Sequence, residues 1–214
     1  MWVWKMKKRL LYHMTDYQNL PSIINSGGLT AYSQIVDQKI DYSDIAHQSV
    51  QQRRSTTRIK IPPYGILHDY VPFYFATRSP MLYAIKNGNV EGYSGTESDI
   101  IYIVTRTDIV SRAEKKFVFT DGHAIIYLTE FYNDLNDLGK IDWNIMSGEY
   151  WNDTDEYPDR KRKRQAEFLI NQFVEIDLFL GFGVKNNRMK RKVMDILEAN
   201  NIDKQVIVKP DFYF

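Results

Sequence analysis

The sequence predicts a single α+β domain built around a mixed β-sheet. Three observations carry that expectation. Of 214 residues, 43% are apolar and 26% charged, the balance of a globular chain with enough length to bury a substantial core. Candidate strands lie dispersed among candidate helices, with several gaps of hairpin length, which suits a mixed sheet better than a doubly wound parallel one. No internal repeat and no linker rich in Pro, Gly and Ser divides the chain, so residues 1–214 are read as one domain.

In chain order, Arg9 to His13 reads as a short first strand. Asn19 then caps a helix with Pro21 in its first turn and Gly27-Gly28 at its end. Residues 31–66 are polar and mixed, with Pro62, Pro63 and Gly65, and read as a long loop holding at most one helical turn. A loop of that length in a compact domain is usually functional or disordered. Asp69 to Ala76 is extended, and Pro72, which has no N–H for a ladder, argues for an edge position or a strand start. Ser79 to Gly88 is the best-marked helix, with Ser at the N-cap, Pro80 at N1 and Gly88 past the end. Ile100 to Thr105 and Phe117 to Thr120 read as strands. Phe131 to Leu138, Asp142 to Glu149 and Lys161 to Phe173 read as helices, the last with Ala166, Leu169, Ile170 and Phe173 on one face. A strand near Phe182 to Lys185, a helix from Arg188 to Asn200 and a strand from Val206 to Lys209 complete the series.

Composition narrows the function classes. With no cysteine, disulfides, thiolate nucleophiles and Cys-ligated zinc or iron–sulfur centres are excluded. The four histidines, His13, His47, His68 and His123, never stand at metal-ligand spacing, so no metal site is expected. No apolar run reaches the ~18 residues of a membrane span, and the opening residues hold no apolar stretch of signal-peptide length. A cytoplasmic protein without membrane contact is the expectation. The net charge of +1 hides segregation: basic residues cluster at 5–9, 160–164 and 185–192, while acids collect at Asp134, Asp137, Asp142 and 149–156. Such clusters suit a polyanion, though solvated helix faces look the same. No phosphate-binding Gly-rich loop, nucleophile elbow or HExxH helix is present.

Read singly, the candidate residues stay ambiguous. His13, at a strand end, either meets a ligand or makes an ordinary hydrogen bond. Arg53-Arg54 is either plain surface or a guanidinium pair suited to pyrophosphate or to a charge developing on a base. Glu167 is either a helix-surface carboxylate or the stabiliser of an oxocarbenium-like transition state. Tyr70, Phe73, Tyr74 and Tyr83 offer rings that could stack on an unpaired base.

Taken in order, the segments resemble a known family. They are Tyr12-His13-Met14-Thr15 followed by Asn19-Leu20-Pro21-Ser22-Ile23-Ile24; Arg53-Arg54; His68 to Phe75 running into Arg78 to Ile85; Phe119-Thr120-Asp121-Gly122-His123; Tyr150-Trp151-Asn152-Asp153; Arg164 to Leu169; and Pro210-Asp211-Phe212-Tyr213. Together they resemble the DarT family of DNA ADP-ribosyltransferase toxins over nearly the whole chain. The resemblance implies an ADP-ribosyltransferase fold of the PARP and diphtheria-toxin kind, with a split mixed central sheet. It implies an enzyme that cleaves NAD and links ADP-ribose to a base in single-stranded DNA, with this chain like the thymine-modifying branch, blocking replication. It also implies a macrodomain antitoxin, DarG, as partner, NAD as co-substrate and no metal.

Residue by residue, the resemblance gives His13, Met14 and Thr15 to the nicotinamide end of NAD, with Ser22, Thr30 and Arg54 as further NAD contacts. Arg54 and Glu167 become the catalytic pair. His123, Tyr70, Met81 and Arg164 fall to DNA, residues 31–66 to an NAD-binding loop, and 123–167 to substrate recognition. An arginine is a poor base at neutral pH. Arg54 is therefore expected to stabilise the thymine anion or contact the NAD phosphates, while the proton leaves by Glu167 or water. Rival readings are a related transferase acting on guanine, RNA or protein, and a non-catalytic nucleic-acid binder.

Overall fold

The structure is a computed structural model that describes residues 8–214. The opening Trp2-Val3-Trp4, and Lys5 and Lys7 of the basic cluster at 5–9, lie outside the described residues. Strand β1 (Leu10–Asp16) runs into a 3-10 turn at Tyr17–Asn19 and helix α1 (Leu20–Asn25). The Asp16 carboxylate opens that turn by accepting from the Gln18 N–H at 2.8 Å. Asn19 sits at the N-cap of α1 without capping it, because its side chain is engaged elsewhere. Gly27, at φ +75°, ends the helix as expected, and Gly28 opens β2 (Gly28–Thr30). A Cβ at Gly28 would stand 2.2 Å from the Val174 carbonyl oxygen, so only glycine lets this strand pair there.

Residues 31–66 hold more structure than the expected loop: helices α2 (Tyr32–Asp37) and α3 (Gln48–Thr56). Strand β3 (Tyr70–Tyr74) follows, then α4 (Pro80–Lys86), where the Ser79 hydroxyl caps the Leu82 N–H at 3.2 Å. The chain continues through β4 (Ile100–Arg106), α5 (Thr107–Arg112), β5 (Phe117–Thr120) and β6 (Phe131–Tyr132). Next come a 3-10 segment at Leu135–Lys140, α6 (Trp143–Ser147) and α7 (Arg160–Arg164). Strands β7 (Glu167–Asn171), β8 (Phe173–Glu175) and β9 (Gly181–Val184), helix α8 (Asn187–Ala199) and β10 (Gln205–Val208) complete it.

Two helical expectations are corrected here. Phe131–Leu138 is a short strand followed by a 3-10 turn, and the expected helix over Lys161–Phe173 is helical only to Arg164 before it becomes β7. Glu167 to Ile170 are all buried, so both faces of β7 are apolar-packed and period-2 alternation never shows.

The main sheet has the order β10-β9-β4-β1-β3-β7-β5-β6, antiparallel except for the β9–β10 pair; β2 and β8 form a separate ribbon. Pro72 lies in its interior, against the edge placement expected for it. β3 pairs with β7 along its length, Pro72 opposite Leu169. On its other side β3 meets β1 at a single register pair, Tyr12 opposite Tyr74. The Pro72 carbonyl faces β1, where the His13 ring meets its oxygen at 2.8 Å, so the missing N–H also falls on the side where the ladder is interrupted. The sheet is therefore split between β1 and β3.

Core residues cover both faces of the sheet. Leu11, Phe73, Ile101, Ile103, Phe168 and Ile170 pack with Met189, Val193 and Leu197 of α8 on one side. Met14, Ile100 and Tyr102 pack with Leu82 and Ile85 of α4 on the other. α8 earns its place by apolar spacing of four, with Asn186 capping the Met189 N–H at 2.9 Å. Among the described residues no helix is long and apolar enough to cross a membrane.

Candidate active site

A cavity of about 400 Å³ opens at the split in the sheet, where β1, β3 and β7 meet α1, α2, α3 and α4. Its volume is within the range of small-ligand sites. Of the residues expected from the sequence, all but Arg53, Phe73, Tyr83 and Arg164 line it, and so do all four histidines.

Its charged centre is a buried ion pair. Glu167, 2% exposed at the first position of β7, accepts from Arg54 Nη1 of α3 at 2.7 Å through Oε2. Its other oxygen, Oε1, accepts the Ala124 N–H at 3.1 Å and faces His123 Nδ1 at 3.3 Å. The Thr120 hydroxyl of β5 accepts the Glu167 backbone N–H at 3.0 Å. Burial alone would push the Glu167 carboxyl up; the Arg54 charge and the bonds from His123 and Arg54 outweigh it and hold the group at about 2. Glu167 is thus a carboxylate at any physiological pH. Arg54 Nη2 is buried with no hydrogen-bond partner among the described residues, an orphan donor beside the cavity that an anionic ligand would satisfy.

His13 sits where the ladder stops. A carbonyl only accepts, so Nδ1 carries the hydrogen given to Pro72 and Nε2 is the lone-pair nitrogen. Burial pushes this imidazole down to about 4, so it is neutral near pH 7. Asn19, which sequence reasoning treated only as a cap, locks the cavity rim. Its Nδ2 donates to Thr15 Oγ1 at 3.0 Å and to the Ser43 carbonyl at 2.9 Å, and its Oδ1 accepts the Ser43 N–H at 2.7 Å.

Asp44 carries a second network that the sequence did not reveal. It accepts from the Tyr42 hydroxyl, the Ala46 N–H and Gln51 Nε2 at 2.8–2.9 Å, and Gln51 Oε1 in turn meets His68 Nε2 at 3.0 Å. Tyr32 lies against the His68 ring at 4.4 Å. The one signal for these residues was the density of polar groups in a segment too long for an ordinary loop.

The remaining expectations separate. Ser22, Thr30 and Met81 line the cavity, and Tyr74 stands opposite Glu167 across the β3–β7 pair. Tyr70 reaches the lining but is 1% exposed, its hydroxyl given to the Tyr64 carbonyl, and Phe73 is fully buried in the core, so neither presents a free stacking face. Tyr83 is exposed, edge-on to Trp151 at 5.6 Å. Arg164 is held away from solvent: its Nη1 donates to the carbonyls of Ile145, Met146 and Gly148, and its Nη2 to that of Thr77. Among the other basic residues, Arg162 is occupied by Asp159 and Asp121, Lys185 by Glu97 and Lys192 by the Tyr17 hydroxyl. Lys161 alone of the 160–164 run lines the cavity.

A family model described as "ssDNA thymidine ADP-ribosyltransferase, DarT" matches residues 12–214. The chain belongs to the DarT family. A DNA ADP-ribosyl transferase of Thermus sp. strain 2.9 is 36% identical over 208 residues, covering 95% of both chains. The DarT of Thermus sp. 2.9 solved with ADP-ribosylated single-stranded DNA superposes with a TM-score of 0.90 at 34% identity, covering 96% of both chains. Solved with NAD+, it gives 0.85 at 33% identity, over 96% of this chain and 98% of that one. A fusion of a DNA ADP-ribosyl transferase with a DNA ADP-ribosyl glycohydrolase, from Thermosipho africanus, is 26% identical over 96% of this chain and half of its own length. The fold is thus the ADP-ribosyltransferase fold of DarT, and the enzyme class is NAD-dependent DNA ADP-ribosyltransferase.

Proposed function

We propose that this chain transfers ADP-ribose from NAD+ to a thymine ring nitrogen in single-stranded DNA, releasing nicotinamide, and that it acts in the cytoplasm as a replication-blocking toxin. The observation that carries the reading is the Arg54–Glu167 pair: a carboxylate fixed in its charged form on the cavity wall, beside a guanidinium with one donor unspent. Loss of nicotinamide leaves a positively charged ribosyl species. A preorganised buried anion stabilises that charge as it develops, with no reorganisation at the moment of reaction.

In this reading His13, Met14 and Thr15 hold the nicotinamide end, Ser22 and Thr30 make further NAD contacts, and the orphan Nη2 of Arg54 meets a phosphate or the thymine anion. Residues 31–66, tied down through Asn19 and Asp44, form the NAD-binding element. Residues 123–167 read the DNA through His123, which shares the cavity lining with Met81 and Tyr70, with Arg164 anchoring the Ile145–Gly148 backbone. Tyr127 and Tyr150, 95% and 77% exposed within that segment, offer stacking faces for bases. A single-stranded substrate follows from the chemistry, because pairing in a duplex occupies the thymine nitrogen. The glycohydrolase joined to the Thermosipho relative supports a macrodomain partner, DarG, that reverses the modification.

Intact-mass spectrometry of short single-stranded oligonucleotides, with and without thymine, incubated with the protein and NAD+, tests this. An ADP-ribose adduct confined to thymine-containing strands is expected. Adducts on thymine-free, guanine-containing strands would move the substrate to guanine, and no adduct with NAD+ intact would overturn the reading.

A further inference from the structure

We propose that His123 is the general base of the transfer, its Nε2 taking the N3 proton of the target thymine while Glu167 holds the ring through Nδ1. The inference rests on the thymine reading above. A carboxylate only accepts, so the nitrogen facing Glu167 Oε1 carries a hydrogen and the opposite nitrogen keeps its lone pair. His123 lines the cavity, and no hydrogen bond to a described residue engages Nε2. A carboxylate holding one tautomer of an imidazole is the arrangement that makes histidine an effective base, since the same carboxylate stabilises the imidazolium that forms.

The backbone under the ring is fixed. The His123 N–H donates to the Arg162 carbonyl at 2.9 Å, and the Thr129 hydroxyl donates to the His123 carbonyl at 2.8 Å. Arg53 Nη2 holds the Ile125 carbonyl at 2.8 Å. At Gly122 a Cβ would stand 2.4 Å from Arg162 Nη1, so the loop closes directly on that guanidinium. Of the charged groups nearby, Glu167 of β7 meets the ring directly, Arg54 of α3 and Lys161 of α7 line the same cavity, Arg53 holds the Ile125 carbonyl, and Arg162 pairs with Asp121 just past β5.

The ion pair and the other cavity histidines offer no comparable acceptor. Both Glu167 oxygens are hydrogen-bonded and the group titrates at about 2, far too acidic to take a proton from an imide nitrogen. The Arg54 guanidinium has donors only and no lone pair to take a proton. Burial holds His13 near 4 and also lowers His68, whose Nε2 is engaged by Gln51. His47 makes no hydrogen bond to either member of the ion pair. In the step, the N3–H bond breaks and its proton goes to Nε2. The freed N3 pair bonds to the anomeric carbon, and the glycosidic pair leaves with nicotinamide, which departs neutral. The imidazolium then gives its proton to water, one per transfer.

His123→Asn separates this role from support of Glu167, since the amide N–H can replace the Nδ1 donor while no basic nitrogen remains. Initial rates are compared on a thymine oligonucleotide and on one carrying 5-fluorouracil, whose N3–H is more acidic, from about pH 5.5 to 9. The variant is slower on thymine by about 10²-fold or more across that range. Its defect on 5-fluorouracil is at least about tenfold smaller, and added imidazole restores part of the rate. An equal defect on both bases without imidazole rescue would reduce His123 to positioning Glu167, and an unchanged rate would remove it from the chemistry. His123→Gln repeats the comparison should the asparagine variant not fold. A wild type that leaves thymine unmodified would overturn the thymine reading and this inference together, whereas a turning-over wild type isolates the second.

Discussion

Arg54 and Glu167, 113 positions apart in the chain, meet at 2.7 Å inside the protein and join α3 to the central strand β7. The carboxylate is ionised before any substrate arrives, and the role proposed for it places its contribution in the transition state. Glu167→Gln, nearly isosteric, should lower transfer by about 10²-fold or more while NAD+ binding stays within a few fold. Calorimetric titration beside adduct formation checks this; a parallel loss of NAD+ affinity would assign Glu167 to ground-state binding instead.

The same pair carries a cost in stability when half of it is removed. Arg54→Met leaves a buried, uncompensated carboxylate and should destabilise the fold by about 3–5 kcal/mol. Combining it with Glu167→Gln removes the stranded charge, so the double variant should be more stable than Arg54→Met alone. Urea unfolding of the four proteins reads the coupling, and strict additivity would mean that the pair contributes nothing as a pair.

His13 sets an acid limit on stability. Its folded-state value of about 4 lies below the ordinary 6.5. The unfolded chain therefore binds the proton first as pH falls, and stability is full above about 6.5 and declines toward 4, by about 3 kcal/mol in total. Glu167, also depressed, works in a lower window, between the ordinary 4.5 and about 2. His13→Asn can keep a donor toward Pro72 and should flatten the upper limb in unfolding curves taken between pH 7 and 4.5; an unaltered limb would place the titration elsewhere.

Three basic residues of α7 divide in their response to neutralisation. Lys161 and Lys163 hold no buried role, Lys163 meeting Asp142 at 3.4 Å across a partly exposed pair. Lys161→Gln with Lys163→Gln should weaken single-stranded DNA binding and lower the slope of log affinity against log salt by about 0.7–1.4. Arg164→Met should instead lower stability, by about 1–3 kcal/mol, and speed amide exchange around Ile145–Gly148, since four carbonyls lose their donor. A salt slope that falls with Arg164→Met and not with the lysines would invert these roles.

What could be read in the sequence follows the physics of each segment. α4 and α8 were legible because Ser79-Pro80 and Gly88 punctuate the first and apolar spacing marks the second. α3 was not: Gln48–Thr56 has no apolar face to reveal its period, and its burial of Arg54 depends on a partner from β7. β7 read as a helix because both its faces are covered, and Pro72 read as an edge marker because nothing local announces an interrupted ladder. The residues proposed for the catalytic centre came from a resemblance carried by the order of short motifs. Patterning alone left Glu167 on a helix surface, and Asn19 and Asp44 escaped because their partners lie 24 and 7 positions along the chain.

The strand that carries Glu167 joins β3 to β5 in the middle of the sheet, yet it is made after both of them. During synthesis, then, Arg54 waits on a nascent chain that has neither its counter-charge nor the strand that closes the cavity wall. Polypeptides released early, before residue 167, carry most of the family's motifs but lack the carboxylate proposed for the transfer. On that reading competence arrives late in synthesis, with the strand that closes the cavity wall.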